Sequence, residues 1–483
     1  MESHPPRIEH LGRIVRQLKM WKSNDKVRPD FIICFFRGFL APALPAGIVI
    51  ACKKALNNWK QFTDNKLGLF FAANGGESRR SSLSNLVLVV FFQEDRRMGQ
   101  SPDCRYPAGV TPDWEAALRN AIQKIERNLV TFHRGFPAPV SRNNVYPEIT
   151  NIDWTAGFWP GLLWLAYEAT WDDQFSRAAA GIFNNFAERL EKRIHIDHHE
   201  LGFLYTLAAV SRYKLTGKEN ARSLAIRAAD HLMARYHDGI GIIQAWGDIQ
   251  DPQQQGRLII DGLMNLPLLY WAGQATGDPR FYRRAYRHAR QSAIYLVRDD
   301  YSTVQTVVID PERGVPRYED NHQGYGADSC WARGQAWGIY GFVLSYVYTE
   351  DWSFIELAKG LADYFLARLP KDRICYWDLT FSGGDEPRDS SAAAVALCGL
   401  LELVRHLPLG DPDKARYEAE ALSMLASFAE RYATQPGDDS NGLLRHAVYH
   451  KPKGIGVDEC CLWGDYFYLE ALIRVTRNWK RYW

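Results

Sequence analysis

The sequence carries no surplus of charge. Lysine and arginine total 58, aspartate and glutamate 56, for a net charge of +2. Such a balance gives no strongly basic face for nucleic acid or an anionic membrane surface. Cysteine motifs are absent as well. The eight cysteines stand singly at 34, 52, 104, 330, 375 and 398 and side by side at 460–461, with no CxxC pair and no zinc spacing. Vicinal cysteines suit an ordinary disulfide badly. Buried free thiols in a reducing, cytoplasmic setting are therefore expected. No apolar segment follows the opening MESHPPRIEH in the manner of a secretion signal. The one long apolar run, 31–52, contains Arg37, Pro42 and Pro45, which makes it a poor membrane span. The expectation is a soluble chain, monomeric or weakly dimeric, with neither nucleic acid nor membrane as partner.

What is present is packed, aromatic and helical. Hydrophobic residues make up 46% of the chain and charged residues 24%, the profile of a globular protein. There are 16 tryptophans and 24 tyrosines, enough to serve either a large core or a surface that stacks on sugar rings. Residues 1–110 show no sustained period. They mix basic stretches, an isolated apolar run at 86–92 and Gly/Ser/Arg text. This part reads as an irregular or disordered extension, or as translated non-coding sequence, with no part in chemistry.

From 111 onward, as one domain to 483, apolar helices alternate with amphipathic ones. The turns between them recur, with Thr or Gly at the stop and Asp, Glu or Pro at the next start. Six helices are apolar almost all round (154–169, 200–215, 258–275, 331–348, 390–406, 462–475) and must be buried. Six others keep a polar face (113–130, 172–191, 219–235, 279–297, 352–368, 412–432). The first helix is an unpaired outer one and the last an unpaired inner one. Packing these two together closes an all-α ring, an (α/α)6 toroid.

In such a ring the starts of the inner helices share one mouth. They carry Asp153 and Trp154, then His198, His199 and Glu200, then Arg257 and Asp261. Further on come Trp331, Arg333, Gln335 and Trp337, then Arg388 and Asp389, then Trp463 and Asp465. Aromatic, cationic and carboxylate groups converging on one end make a polar pocket. Paired carboxylates serve general acid and base chemistry, and Glu200 with Asp261 is the best pair. Asp261 lies between the apolar LII and GLMNLP, a dry setting that favours a retained proton. The bland reading of any single acid here, a helix cap or an internal ion pair, suits Asp153 and Asp465. Arg333, between Trp331 and Trp337, suits a substrate anion or a buried structural role. The run His195, Asp197, His198, His199, Glu200 is dense enough to raise a metal site. Three ligands within so few residues seldom close a tetrahedral site alone, so no metal is expected.

The strings NIDWTAGFWPGLLWLAYE, DHHELGFLY, GIIQAWG, GRLIIDGLMNLPLLYWA, HQGYGADSCWARGQAWGIYGF, RDSSAAAVALCGLLE and WGDYFYLEAL resemble, in order and spacing, the unsaturated glucuronyl hydrolases of glycoside hydrolase family 88. The resemblance spans about residues 112–480. It implies an (α/α)6 barrel and no cofactor. It also implies removal of a 4-deoxy-4,5-unsaturated uronic acid from lyase-generated oligosaccharides, by hydration of the C4=C5 vinyl ether. By resemblance Asp261 is the proton donor, and Glu200 stands where the family usually has Asp. Trp154, His199, Trp246, Gln323, Trp331, Arg333 and Trp337 correspond to positions lining the sugar and carboxylate sites. Gln305 replaces a histidine the family often carries. Lys451, Pro452, Lys453 and Gly454 replace the Ser-rich sulfate-reading loop of some members. The alternatives are an unsaturated rhamnogalacturonyl hydrolase on the same fold, an inactive sugar-binding member and a sugar epimerase.

Overall fold

Five inner helices end on the same device. Thr170, Thr216, Thr276, Thr349 and Thr476 each donate their hydroxyl to the carbonyl four residues back, at 2.7 Å in every case. In the first four, the hydroxyl also accepts the amide two residues on, from Asp172, Lys218, Asp278 and Asp351. One side chain thus closes the last turn and starts the joint. The chain then reverses through a left-handed residue. Gly217 and Gly277 take it freely, whereas Trp171 and Glu350 adopt it at φ 57° and 56°. Aspartates open the next helix: Asp172, Asp278 and Asp411 accept the amides of Gln174, Arg280 and Asp413, each at 2.9 Å. Pro279 and Pro412 occupy the first helical position.

The structure, a computed structural model, describes residues 113–483 and two short strands, Leu69–Ala72 and Val87–Val90, which pair antiparallel. The irregular extension and the apolar run 31–52 otherwise fall outside the described residues. The chain divides into two units, Met1–Asp103 and Cys104–Trp483.

The second unit contains the expected helices. They are α1 Trp114–Thr131, α2 Phe158–Thr170, α3 Asp173–Glu191, α4 (residues 201–216), α5 Glu219–Met233 and α6 Leu266–Thr276. After these come α7 Pro279–Tyr295, α8 Ala332–Thr349, α9 Ser353–Leu366, α10 Ser390–His406, α11 Pro412–Ser427 and α12 Leu462–Thr476. The even-numbered, apolar helices pack each on the next, and α12 packs on α2. Each outer helix from α3 on packs on the inner helix before it, and α1 packs on α12.

Three local features depart from the sequence reading. The inner helix expected over 258–275 begins instead as a strand, Arg257–Ile259. A 3₁₀ segment, Ile260–Asn265, follows, and Pro267 then occupies the first turn of α6. Proline has no amide to give an earlier turn, so the α-helix can start there but not run through. Helix α4 is Leu201–Tyr205 and Ser211–Thr216 joined by a π-helical turn, Thr206–Val210. The unit is not purely α. Arg257–Ile259, Thr306–Ile309 and Pro316–Asp320 form an antiparallel sheet, and Ala447–His450 pairs with Ile455–Glu459. These strands lie in the connections leading into inner helices.

The five described cysteines, Cys330, Cys375, Cys398, Cys460 and Cys461, are free and buried, as expected; the other three fall outside the described residues. No helix among the described residues is long and apolar enough to cross a membrane.

Candidate active site

Every acid at the start of an inner helix invites the reading that it merely caps that helix, and the structure sorts them. Asp153 accepts the amide and hydroxyl of Thr155, and Asp389 accepts the amides of Ser391 and Ala392. Both are caps. Asp465 takes the amide of Leu444 and the hydroxyl of Tyr146, so it ties loop to barrel. Glu200 and Asp261 cap nothing. One donor atom from each of His199, Glu200 and Asp261 lies within 4.8 Å of the others, so the expected carboxylate pair does meet, with a histidine between.

The histidine's bonds fix its protonation. His199 Nδ1 faces the Ala245 carbonyl at 3.0 Å. A carbonyl only accepts, so Nδ1 carries a proton. The exchangeable proton is therefore the one shared by Nε2 with Asp261 Oδ1, 2.8 Å away. Burial alone lowers the affinity of His199 for protons, but the Asp261 carboxylate and its hydrogen bond outweigh this and raise it. His199 thus holds its proton more tightly than a free imidazole, on the edge that faces Asp261.

Burial acts most strongly on Glu200. Its side chain is 20% exposed, but dense protein around the cleft pushes its carboxyl up to about 8, against the pull of His199, with Asp261 and Asp153 pushing further. Burial therefore holds a proton on Glu200. Asp261 has His199 as its hydrogen-bond partner. His198 keeps Glu200 in place. Its Nε2 meets the His195 carbonyl at 2.9 Å, leaving Nδ1 to accept the Glu200 amide at 3.1 Å. Burial holds His198 neutral, down to about 3.

One consequence concerns stability. A carboxyl whose folded pKa is raised destabilises the fold as pH climbs above its unfolded value near 4.5, increasingly so up to about 8. Glu200→Gln removes that liability. Its unfolding midpoint is expected to exceed that of the wild type by a margin that grows from pH 5 to pH 8. A constant margin in a denaturant series across those pH values contradicts the assignment.

Among the described residues, His199, Glu200 and Asp261 are the only donors close enough together to suggest a metal. Both ring nitrogens of His199, and both of His198, already have partners in the structure. The cluster is organised as a hydrogen-bonded acid–base group.

Around the carboxylates, Trp154 and Trp246 are half-buried aromatic walls. Trp154 donates its Nε1 to the Tyr449 hydroxyl at 3.2 Å, and Trp246 meets His322 edge to face at 6.1 Å. Gln323 is locked to Gln305 by two reciprocal bonds, 2.7 and 2.9 Å, and donates to the Tyr449 carbonyl at 3.1 Å. Gln305 thus holds Gln323 in place.

Three of the residues expected at the sugar site, Trp331, Arg333 and Trp337, are buried. The side chain of Arg333, 2% exposed, donates to Asp389 at 3.1 Å and to the Val448 and Tyr449 carbonyls at 2.5 and 2.6 Å. Its guanidinium lies 4.4 Å over Trp331 and 4.9 Å over Trp463. Through these bonds it holds the Ala447–His450 strand, and with it Tyr449. Trp331 is buried beneath it. Trp337 is 1% exposed and packs on Phe203 and Phe467, with Phe203 in turn under Trp154. Trp331 and Trp337 are the wall's foundation.

Sequence reasoning missed His288. It sits on the buried stripe of α7 with Phe281, Ala285, Ala289 and Ser292, and that spacing was the available signal. Its Nδ1 accepts the Ile243 amide at 2.9 Å. Burial and the charge on His199 push it down to about 3, so it stays neutral behind the dyad.

Buried helices that bring a carboxyl–imidazole pair and a second acid together near partly exposed tryptophan faces suit a carbohydrate-active hydrolase. The family model for Glycosyl Hydrolase Family 88 matches residues 137–478, and the chain belongs to that family. It is 47% identical over 368 residues to the unsaturated chondroitin disaccharide hydrolase of Streptococcus pneumoniae, covering 76% of this chain and 93% of the relative. It is 44% identical over 373 residues to the unsaturated glucuronyl hydrolase of Bacillus sp. GL1, covering 77% and 98%. The crystal structure of unsaturated glucuronyl hydrolase from Streptococcus agalactiae superposes with a TM-score of 0.75 at 44% identity, covering 77% and 93%. A variant of that enzyme was crystallised with dGlcA-GalNAc6S.

Proposed function

We propose that this glycoside hydrolase removes a 4,5-unsaturated glucuronyl residue from the non-reducing end of lyase-generated oligosaccharides, by hydrating its C4=C5 bond. The observation that carries the reading is the Asp261–His199 dyad with Glu200 beside it. Asp261, kept supplied by His199, gives a proton to C4. The resulting carboxylate takes a proton from the water whose oxygen adds to C5, which restores the dyad. The hemiketal opens and expels the remaining sugar at C1. Glu200, protonated near neutrality, donates to a substrate hydroxyl and orients the ring. Gln323 receives polar groups of the uronate. The supporting likenesses are to enzymes named for glucuronyl and chondroitin substrates, which favours this reading over a rhamnogalacturonyl one. The helix neighbours support an (α/α)6 toroid over residues 111–483 as the catalytic domain.

The test is a panel of unsaturated disaccharides, glucosamine-, galactosamine- and rhamnose-linked, followed by the enol-ether absorbance. The absorbance is expected to fall with the hexosamine-linked substrates. Unchanged absorbance across the panel contradicts the proposal, and a fall with the rhamnose-linked member alone favours the rhamnogalacturonyl alternative.

A further inference from the structure

Two loops at the mouth are tied together by a buried carboxylate that has no part in the chemistry above. Asp378 is fully buried. Its Oδ2 accepts the Tyr325 amide at 2.9 Å and the Ser329 hydroxyl at 2.7 Å, while Oδ1 accepts the Thr380 amide at 3.0 Å. Leu379 donates its amide to the Cys330 carbonyl, and Ala332 to that of Trp377. The Asn321 side chain adds bonds to Gly326 and Ser329 within the first loop.

What this frame presents is aromatic. The Tyr325 ring is 63% exposed and stands 4.9 Å from Phe381 and 6.3 Å from Trp377, edge to face with both. Trp377 is pinned from behind by Glu386, which accepts its indole N–H at 2.9 Å. A lone exposed tyrosine needs no explanation. A tyrosine backed by two further rings, its loop fixed by a buried acid, is a preorganised stacking surface. Binding to such a surface costs little ordering entropy.

The platform is continuous with the site. Tyr325 follows Gln323 by two residues, a span of at most roughly 7 Å, and Gln323 bonds to Tyr449, which meets Trp154. Nearer the dyad, Trp246 and His322 already form an aromatic corner. Tyr325 is thus joined to the site through Gln323. Asp328 and Asp385, both exposed, stand on the same two loops, and acidic groups there disfavour sulfate or carboxylate substituents.

We propose that Tyr325, backed by Phe381 and Trp377, forms a further sugar subsite that stacks on an uncharged ring two units beyond the unsaturated uronate. The inference rests on the functional reading above and extends it: longer neutral-tailed oligosaccharides bind better than disaccharides.

Steady-state kinetics test it, with the full chain and its Tyr325→Ala and Tyr325→Phe variants, on an unsaturated disaccharide and on an unsaturated tetrasaccharide that extends the same disaccharide by two neutral sugars. Tyr325→Ala is expected to raise KM for the tetrasaccharide about three- to tenfold, the range of an aromatic stacking contact. Its kcat, and both constants for the disaccharide, stay unchanged, and Tyr325→Phe behaves as wild type. An unchanged tetrasaccharide KM in Tyr325→Ala overturns the subsite, as does an equal rise on both substrates. Wild-type turnover of neither substrate overturns the functional reading itself, and the subsite with it.

Discussion

Asp261→Asn is expected to lower kcat about 10³- to 10⁴-fold while leaving KM within a fewfold of wild type. The amide keeps the shape and a hydrogen bond to His199 Nε2, now as donor or acceptor, so the pocket survives. It cannot give a proton to carbon or recover one from water. His199 is no substitute, because its Nδ1 is committed to the Ala245 carbonyl and its Nε2 points at residue 261. Glu200→Gln should cost far less, since a protonated glutamate acting as a donor is imitated by the amide. Kinetics of the two variants at pH 6 on one unsaturated disaccharide compare them directly. Equal losses contradict the division of labour, and full activity in Asp261→Asn contradicts the role of Asp261.

The second large effect is on the fold. Arg333→Met removes the cation from a carboxylate, Asp389, that is wholly buried. Breaking one side of such a pair costs about 3–5 kcal/mol, mostly for the charge left behind. Asp389 keeps its bonds to Ser391 and Ala392, so the helix cap persists while the charge stays uncompensated. The Ala447–His450 strand also loses two carbonyl anchors. Adding Asp389→Asn neutralises the stranded charge and still caps α10. The double variant is therefore expected to recover part of the lost unfolding free energy in a urea titration. A double variant as unstable as the sum of the singles contradicts the pairing.

These two residues also show how far the sequence reached. Asp261 was legible because a lone carboxylate between LII and GLMNLP interrupts text that must be buried. The Thr–Asp joints were legible because capping is local chemistry. Arg333 was visible as a residue of consequence, but its partner was not, since Asp389 lies 56 residues on and meets it only through packing. The same holds for His199, where sequence supplied the residue and only the fold supplied the Ala245 carbonyl that sets its tautomer. The strand at Arg257–Ile259 was misread as helix because only Asp261, Gly262 and Asn265 interrupt the apolar residues from Leu258 to Leu266, which run on into α6.

Product analysis after turnover in deuterated water containing methanol tests the central claim most directly. Hydration across C4=C5 predicts deuterium at C4 and, where methanol replaces water, a methyl ketal at C5 with the remaining sugar still attached at C1. Ordinary displacement at the glycosidic carbon would instead yield a methyl glycoside at C1 with the double bond intact, and that product contradicts the account.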